Sequence, residues 1–306
     1  MKIAATLRTH YKLIGLFIIF GVAYTWLSLI APRDRPVLTA SQLTHTQINI
    51  LLLAVVLPYV GIWLIGLLGY LRLKDYVGVL KKASDGQSLA RLANGIFGLL
   101  ISLPVMSLVN TTSRVIQDQH PHEAMWLRRA GLYAVIAILL WAFYALRQST
   151  HAMLAEIGHP HHYLPRTAAL LFMFMGGLYI YFVLTNPLFE SDSLKGHLPA
   201  WVAMDTIVLP HLLAWFWGLH GVWNLYQYAK AVPGRIYRLA FNYLAVGVAV
   251  VTVTIILLQY LQAISVVTEL KLGIILLLVY LILVLASAGF MLVARGGREL
   301  LKIEEV

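Results

Sequence analysis

Long apolar runs recur from one end of the chain to the other, separated by short polar connections. A helix needs about 20 consecutive apolar residues to cross the hydrocarbon core of a bilayer. The pattern therefore predicts membrane-spanning helices near 13–31, 47–71, 91–112, 128–147, 167–186, 201–228, 237–268 and 271–295. No connection is long enough to fold as a separate soluble domain.

Lysine and arginine orient these spans. The N-terminus, the connections 72–91, 147–166 and 230–238, and the C-terminal tail together hold 16 of them, and the other four loops hold 7. The positive-inside rule then predicts a multi-pass protein of the cell membrane with both termini cytoplasmic, as an even number of spans requires. The first span follows Lys2, Arg8 and Lys12, as a signal peptide would. Its apolar run is too long and lacks a small-residue cleavage site, so it reads as a retained helix. Asn110-Thr111-Thr112 matches a glycosylation sequon, but at a helix end on the membrane surface a glycan has no room.

Composition agrees: 60% of the 306 residues are hydrophobic and 12% charged, against roughly 25% charged in a soluble domain. The formal net charge of +10 lies in short loops and forms no continuous basic surface. Membrane lipids are thus expected partners and nucleic acid is not. With no cysteine in the chain, disulfides, thiolate metal sites, iron–sulfur clusters and covalently attached c-type haem are excluded.

The chain also resembles itself. At an offset of 155, Phe17, Gly21, Tyr24, Leu29 and Pro32 match Phe172, Gly176, Tyr179, Leu184 and Pro187. At an offset of 152, Val56, Leu57, Pro58, Trp63, Gly66, Gly69, Leu73 and Tyr76 match Val208, Leu209, Pro210, Trp215, Gly218, Gly221, Leu225 and Tyr228. Arg91-Leu92-Ala93 then matches Arg238-Leu239-Ala240, while spans four and eight align by hydropathy alone. The expected fold is an all-α integral membrane protein of eight transmembrane helices in two tandem four-helix repeats, residues 1–158 and 159–306. Each repeat has an even number of spans, so the two are parallel and their pseudo-twofold axis runs along the membrane normal.

The shared residues have a physical meaning. Pro58 and Pro210 each remove one backbone hydrogen bond and free a carbonyl one turn earlier, near Ala54 and Thr206. The pairs Gly66/Gly69 and Gly218/Gly221 put small residues on one side of each helix, where another backbone can approach. If spans two and six face each other, they would line a shared cavity, as in repeat-built transporters.

Ionisable groups within spans are the natural functional candidates. They concentrate in span six: Asp205, His211 and His220 stand where the first half has Leu53, Tyr59 and Leu68. Along a helix, Asp205 and His220 differ by about 60° in direction but by roughly 22 Å in depth. His211 points about 180° from His220, so the three cannot clasp one small ligand. Tyr24, Tyr59, Asn110, Tyr179, Tyr181, Asn242 and Gln259 are further polar groups that could converge on His211. Two loops invite a metal reading through imidazole and carboxylate: His120, His122 and Glu123 in one, His159, His161 and His162 in the other.

Several chemistries lack the residues they need. Haem b requires facing axial ligands from two helices, yet one histidine alone lies deep. Retinal needs a mid-span lysine, and none is present. No Walker A, HExxH or GxSxG motif occurs, so neither a cofactor nor hydrolytic or nucleotide chemistry is expected. The leading expectation is a small-solute or ion transporter with a pathway between the two repeats. The alternatives are a non-transporting receptor, complex subunit or scaffold, alone or as a homo-oligomer, and a metal-ion transporter working through the histidine-rich loops.

Overall fold

The structure, a computed structural model, describes residues 10–30, 44–80, 86–117, 119–159, 163–185, 200–267 and 272–303. All regular structure among them is helical: α1 (Tyr11–Ile30), α2 (His45–Leu80), α3 (Gly86–Ile116), α4 (Pro121–Glu156), α5 (Arg166–Leu184), α6, α7 (Arg235–Val267) and α8 (Leu272–Ile303). Helix α6 starts as Ala200–Ala203, passes through a π-helical turn at Met204–Val208 and continues as Leu209–Ala231. All eight are long and apolar enough to cross a membrane, so the chain is a multi-pass membrane protein. In lipid the backbone must satisfy its own polar groups, and a helix does so within one segment.

Helices α1 and α5, of 20 and 19 residues, match the bilayer and little more. The 36 residues of α2 and of α4 extend to about 54 Å, beyond the predicted spans and past the membrane. Gly158, with φ +68°, ends the turn after α4, and Gly234, with φ +89°, sits in the tight Pro233-Gly234 link between α6 and α7. Both angles favour glycine.

Packing is closest between α3 and α4 and between α7 and α8. These pairs meet backbone to backbone. A Cβ on Gly95 would lie 2.9 Å from the Ala142 carbonyl, and one on Gly247 would lie 2.8 Å from both the Gly289 carbonyl and the Val293 nitrogen. The next closest pairs are α2 with α8 and α4 with α6. Here a Cβ on Gly69 would lie 3.2 Å from the Ala294 nitrogen, and one on Gly221 3.1 Å from the Arg147 nitrogen. Gly66 sits against the Phe290 ring and Gly218 against the Phe143 ring. The small-residue faces of α2 and α6 thus turn to α8 and α4, and not to each other as a shared cavity would need.

One apolar core runs through the bundle, with Trp63 and Leu67 of α2, Leu99 of α3, Phe143 of α4, Leu244 of α7 and Phe290 of α8 all at most 2% exposed. A smaller core gathers Tyr179 and Val183 of α5, Val208 and Trp215 of α6 and Tyr260 of α7. Helices α1 and α5 lie outermost; Ile19 and Val22 on one and Leu170 and Phe174 on the other face outward into lipid.

A methyl group added at Gly247 would press on the Gly289 carbonyl, the Val293 nitrogen and Val293 Cγ2, so Gly247→Ala should cost about 1–3 kcal/mol. Gly61 and Gly177 have open space around their Cβ positions, and alanine there should be neutral or stabilising by up to about 1 kcal/mol. Unfolding in mixed detergent micelles measures the contrast; equal effects at Gly247 and Gly61 would refute the close approach of α7 and α8.

Candidate functional site

Helix α6 carries most of the candidates, and its geometry begins with Pro210. Proline has no N–H to give, and the chain absorbs the defect by widening one turn: the Leu209 N–H bonds to the Met204 carbonyl, five residues back. The Thr206 hydroxyl donates to the Val202 carbonyl at 2.7 Å, and the Tyr133 hydroxyl of α4 lies 3.4 Å from Thr206 Oγ1. In α2 the same defect is closed differently. The Ala54 carbonyl, freed by Pro58, accepts a 3.1 Å hydrogen bond from the Tyr280 hydroxyl of α8. Sequence reasoning located the freed Ala54 carbonyl but missed the two tyrosines. Each shares its span with another hydroxyl, Tyr144 beside Tyr133 and Ser287 beside Tyr280, so no sequence signal singled them out.

His211 is buried, 3% exposed. Its Nδ1 lies 2.9 Å from the Ile207 carbonyl and 3.2 Å from the Tyr179 hydroxyl. A carbonyl only accepts, so Nδ1 carries the proton and Nε2 is the basic nitrogen. The ring belongs to an aromatic cluster. Tyr179 stands 5.7 Å from His211, 4.7 Å from Trp215 and 5.6 Å from Tyr260, and the Trp215 indole N–H donates to Gln259 Oε1. Tyr59 occupies a similar nest in the first four helices, with Tyr24 at 5.9 Å and Trp63 at 5.3 Å. Ser107 gives its proton to the Leu103 carbonyl, so the Tyr59 hydroxyl donates to Ser107 Oγ across 3.1 Å.

The other candidates lie apart. Asp205 is exposed and lines an open groove with Leu140, Phe172, Leu209, Leu213 and Phe216. His220 stacks on Phe216 at 6.2 Å, and Asn224 Nδ2 donates to its Nδ1 at 3.2 Å. Asn110 is half-buried inside α3, its carbonyl accepting from Ser113, which leaves the sequon within a helix. Tyr181 is exposed and Asn242 half-buried. Of the sequence candidates, Tyr179, His211, Trp215 and Gln259 come together in one cluster, and Tyr24, Tyr59 and Trp63 in another.

The histidine loops form no metal site among the described residues. His120 Nδ1 lies 3.9 Å from Glu123, while the Trp126 indole donates to His122 Nε2 at 3.0 Å, occupying the lone pair a metal would need. His159 is exposed, and His161 and His162 lie outside the described residues, as do Pro32 and Pro187 of the expected repeat.

These partnerships predict stability effects of different size within one helix. Trp215→Phe strands the buried Gln259 carbonyl oxygen and should cost about 1–3 kcal/mol. Asp205→Asn, at an exposed position, should change stability by less than about 0.5 kcal/mol. Unfolding of both variants in the same micelle decides it. Beyond this geometry, no family model, curated protein or solved structure matches the chain.

Proposed function

We propose that the protein is a non-transporting membrane component, a receptor or complex subunit, built from two repeat-related halves that interlock. The observation that carries the reading is the seam between the first and last four helices. It is filled by rings and aliphatic side chains, Phe143 over Gly218 and Phe290 over Gly66, where a pathway would need polar lining.

The duplication draws support from contacts that recur at the repeat offsets. Gly21 meets Val60 as Gly176 meets Leu212, and Tyr24, Tyr59 and Trp63 cluster as Tyr179, His211 and Trp215 do. Tyr133 and Tyr280, Phe143 and Phe290, and Leu146 and Val293 pair at an offset of 147, the offset of the Arg91 and Arg238 triplets. That register extends the relation to spans four and eight. With both termini cytoplasmic, each half would enter the membrane in the same direction.

Transport is the second reading, and one observation favours it: His211, a buried ionisable group beside a π-turn, the kind of irregularity that recurs at functional sites. Flux of small ions in proteoliposomes separates the two. Equal, background flux in wild type and His211→Leu supports the packed seam; flux lost on this substitution would establish transport.

The interlock itself is open to test because the chain has no cysteine. The double variants Gly66→Cys with Phe290→Cys, and Gly218→Cys with Phe143→Cys, should cross-link in membranes with a short thiol reagent. Gly66→Cys with Gly218→Cys should not, and efficient cross-linking of this pair would place α2 against α6 and overturn the interlock.

A further inference from the structure

The groove beside Asp205 lies in the second half of the chain. Phe17 of α1 is fully buried, but Phe172 of α5, its counterpart at an offset of 155, is half-buried on the groove wall. Helix α5 also seats less tightly. A Cβ on Gly21 would come 2.6 Å from Val60, whereas one on Gly176 would come 3.2 Å from Leu212. The slack leaves an open groove of about 500 Å³ between α4, α5 and α6.

Its dimensions match one leaflet. From Asp205 to Phe216 is 11 residues, about 16 Å of helix rise, close to half of the roughly 30 Å hydrocarbon core. Trp201, one turn before Asp205, is 68% exposed, and Trp126 near the start of α4 is 55% exposed. Exposed tryptophans sit at the membrane–water interface. Asp205 therefore stands at the boundary between headgroups and acyl chains, with apolar Leu209, Leu213 and Phe216 below it. No hydrogen bond or ion pair joins its carboxylate to another described residue. A carboxylate at that depth favours a cationic hydrogen-bond donor.

We propose that this groove is a binding site for an amine-headed phospholipid, such as phosphatidylethanolamine, from the leaflet at the N-terminal end of α6. One acyl chain lies along Leu209, Leu213 and Phe216, and the primary ammonium donates to Asp205. A quaternary choline head has the charge but no N–H to donate, so phosphatidylcholine binds less well. The site goes beyond the non-transporting reading and stands whether or not the protein conducts.

The test uses the full chain in phosphatidylcholine nanodiscs doped with phosphatidylethanolamine or phosphatidylcholine carrying a photoactivatable acyl chain, with adducts mapped by mass spectrometry. Labelling of residues 205–216 by the ethanolamine lipid should exceed labelling by the choline lipid about fivefold. Asp205→Asn should erase that difference, and Leu213→Trp should reduce labelling by both lipids. Equal labelling of the wild type by the two lipids, or a preference that survives Asp205→Asn, overturns the proposal. So does a protein–protein adduct at these residues in place of a lipid one.

Discussion

Helices in a bilayer gain almost nothing by burying leucine, because the lipid they displace is equally apolar. Association must come from how closely the backbones approach, and this fold depends on that approach. Gly95 against Ala142 and Gly247 against Gly289 close the α3–α4 and α7–α8 pairs. Gly69 against Ala294 and Gly221 against Arg147 then bind those pairs to α2 and α6. The second set crosses from the first four helices to the last four. The small-residue faces of α2 and α6 are each covered by a helix of the other group of four, so the eight helices form one body.

The two prolines pose the same problem and receive different solutions. At Pro58 the freed Ala54 carbonyl is satisfied from outside, by the Tyr280 hydroxyl, and α2 stays α-helical. At Pro210 the helix widens into a π-turn, and the nearby tyrosine, Tyr133, reaches the Thr206 hydroxyl instead of a carbonyl. The π-turn shifts side chains by part of a turn relative to an unbroken helix. It begins at Met204, so Asp205 stands within the irregular turn. Asp205 and the backbone irregularity of α6 therefore belong to one stretch of helix.

The spans were legible because the bilayer imposes a length that any helix must meet, and hydropathy reads that length directly. The glycine and proline pattern of α2 and α6 was legible as packing, since only small residues admit a neighbouring backbone. Its partners were not. The expectation that α2 and α6 line a cavity rested on like facing like, whereas Gly66 and Gly218 pack under Phe290 and Phe143 of other helices. Which helix fills a small-residue face is a tertiary fact that no periodicity encodes. Tyr133, Tyr260 and Tyr280 escaped notice for the same reason: each acts across a helix pair, and hydropathy counts tyrosine as nearly neutral.

The three ionisable residues of α6 stood out from the sequence as separate candidates on one helix. Helix geometry already separated them, and the structure puts each in a different medium: Asp205 at a lipid-facing groove, His211 in an aromatic core and His220 beside Asn224. A residue sealed among Tyr179, Trp215 and Tyr260 meets no ligand unless the core opens. A carboxylate on the outer wall meets lipid without any motion. Accessibility therefore moves the functional candidate from His211, the deepest polar group, to Asp205, and from the seam between the halves to the outer face of the second.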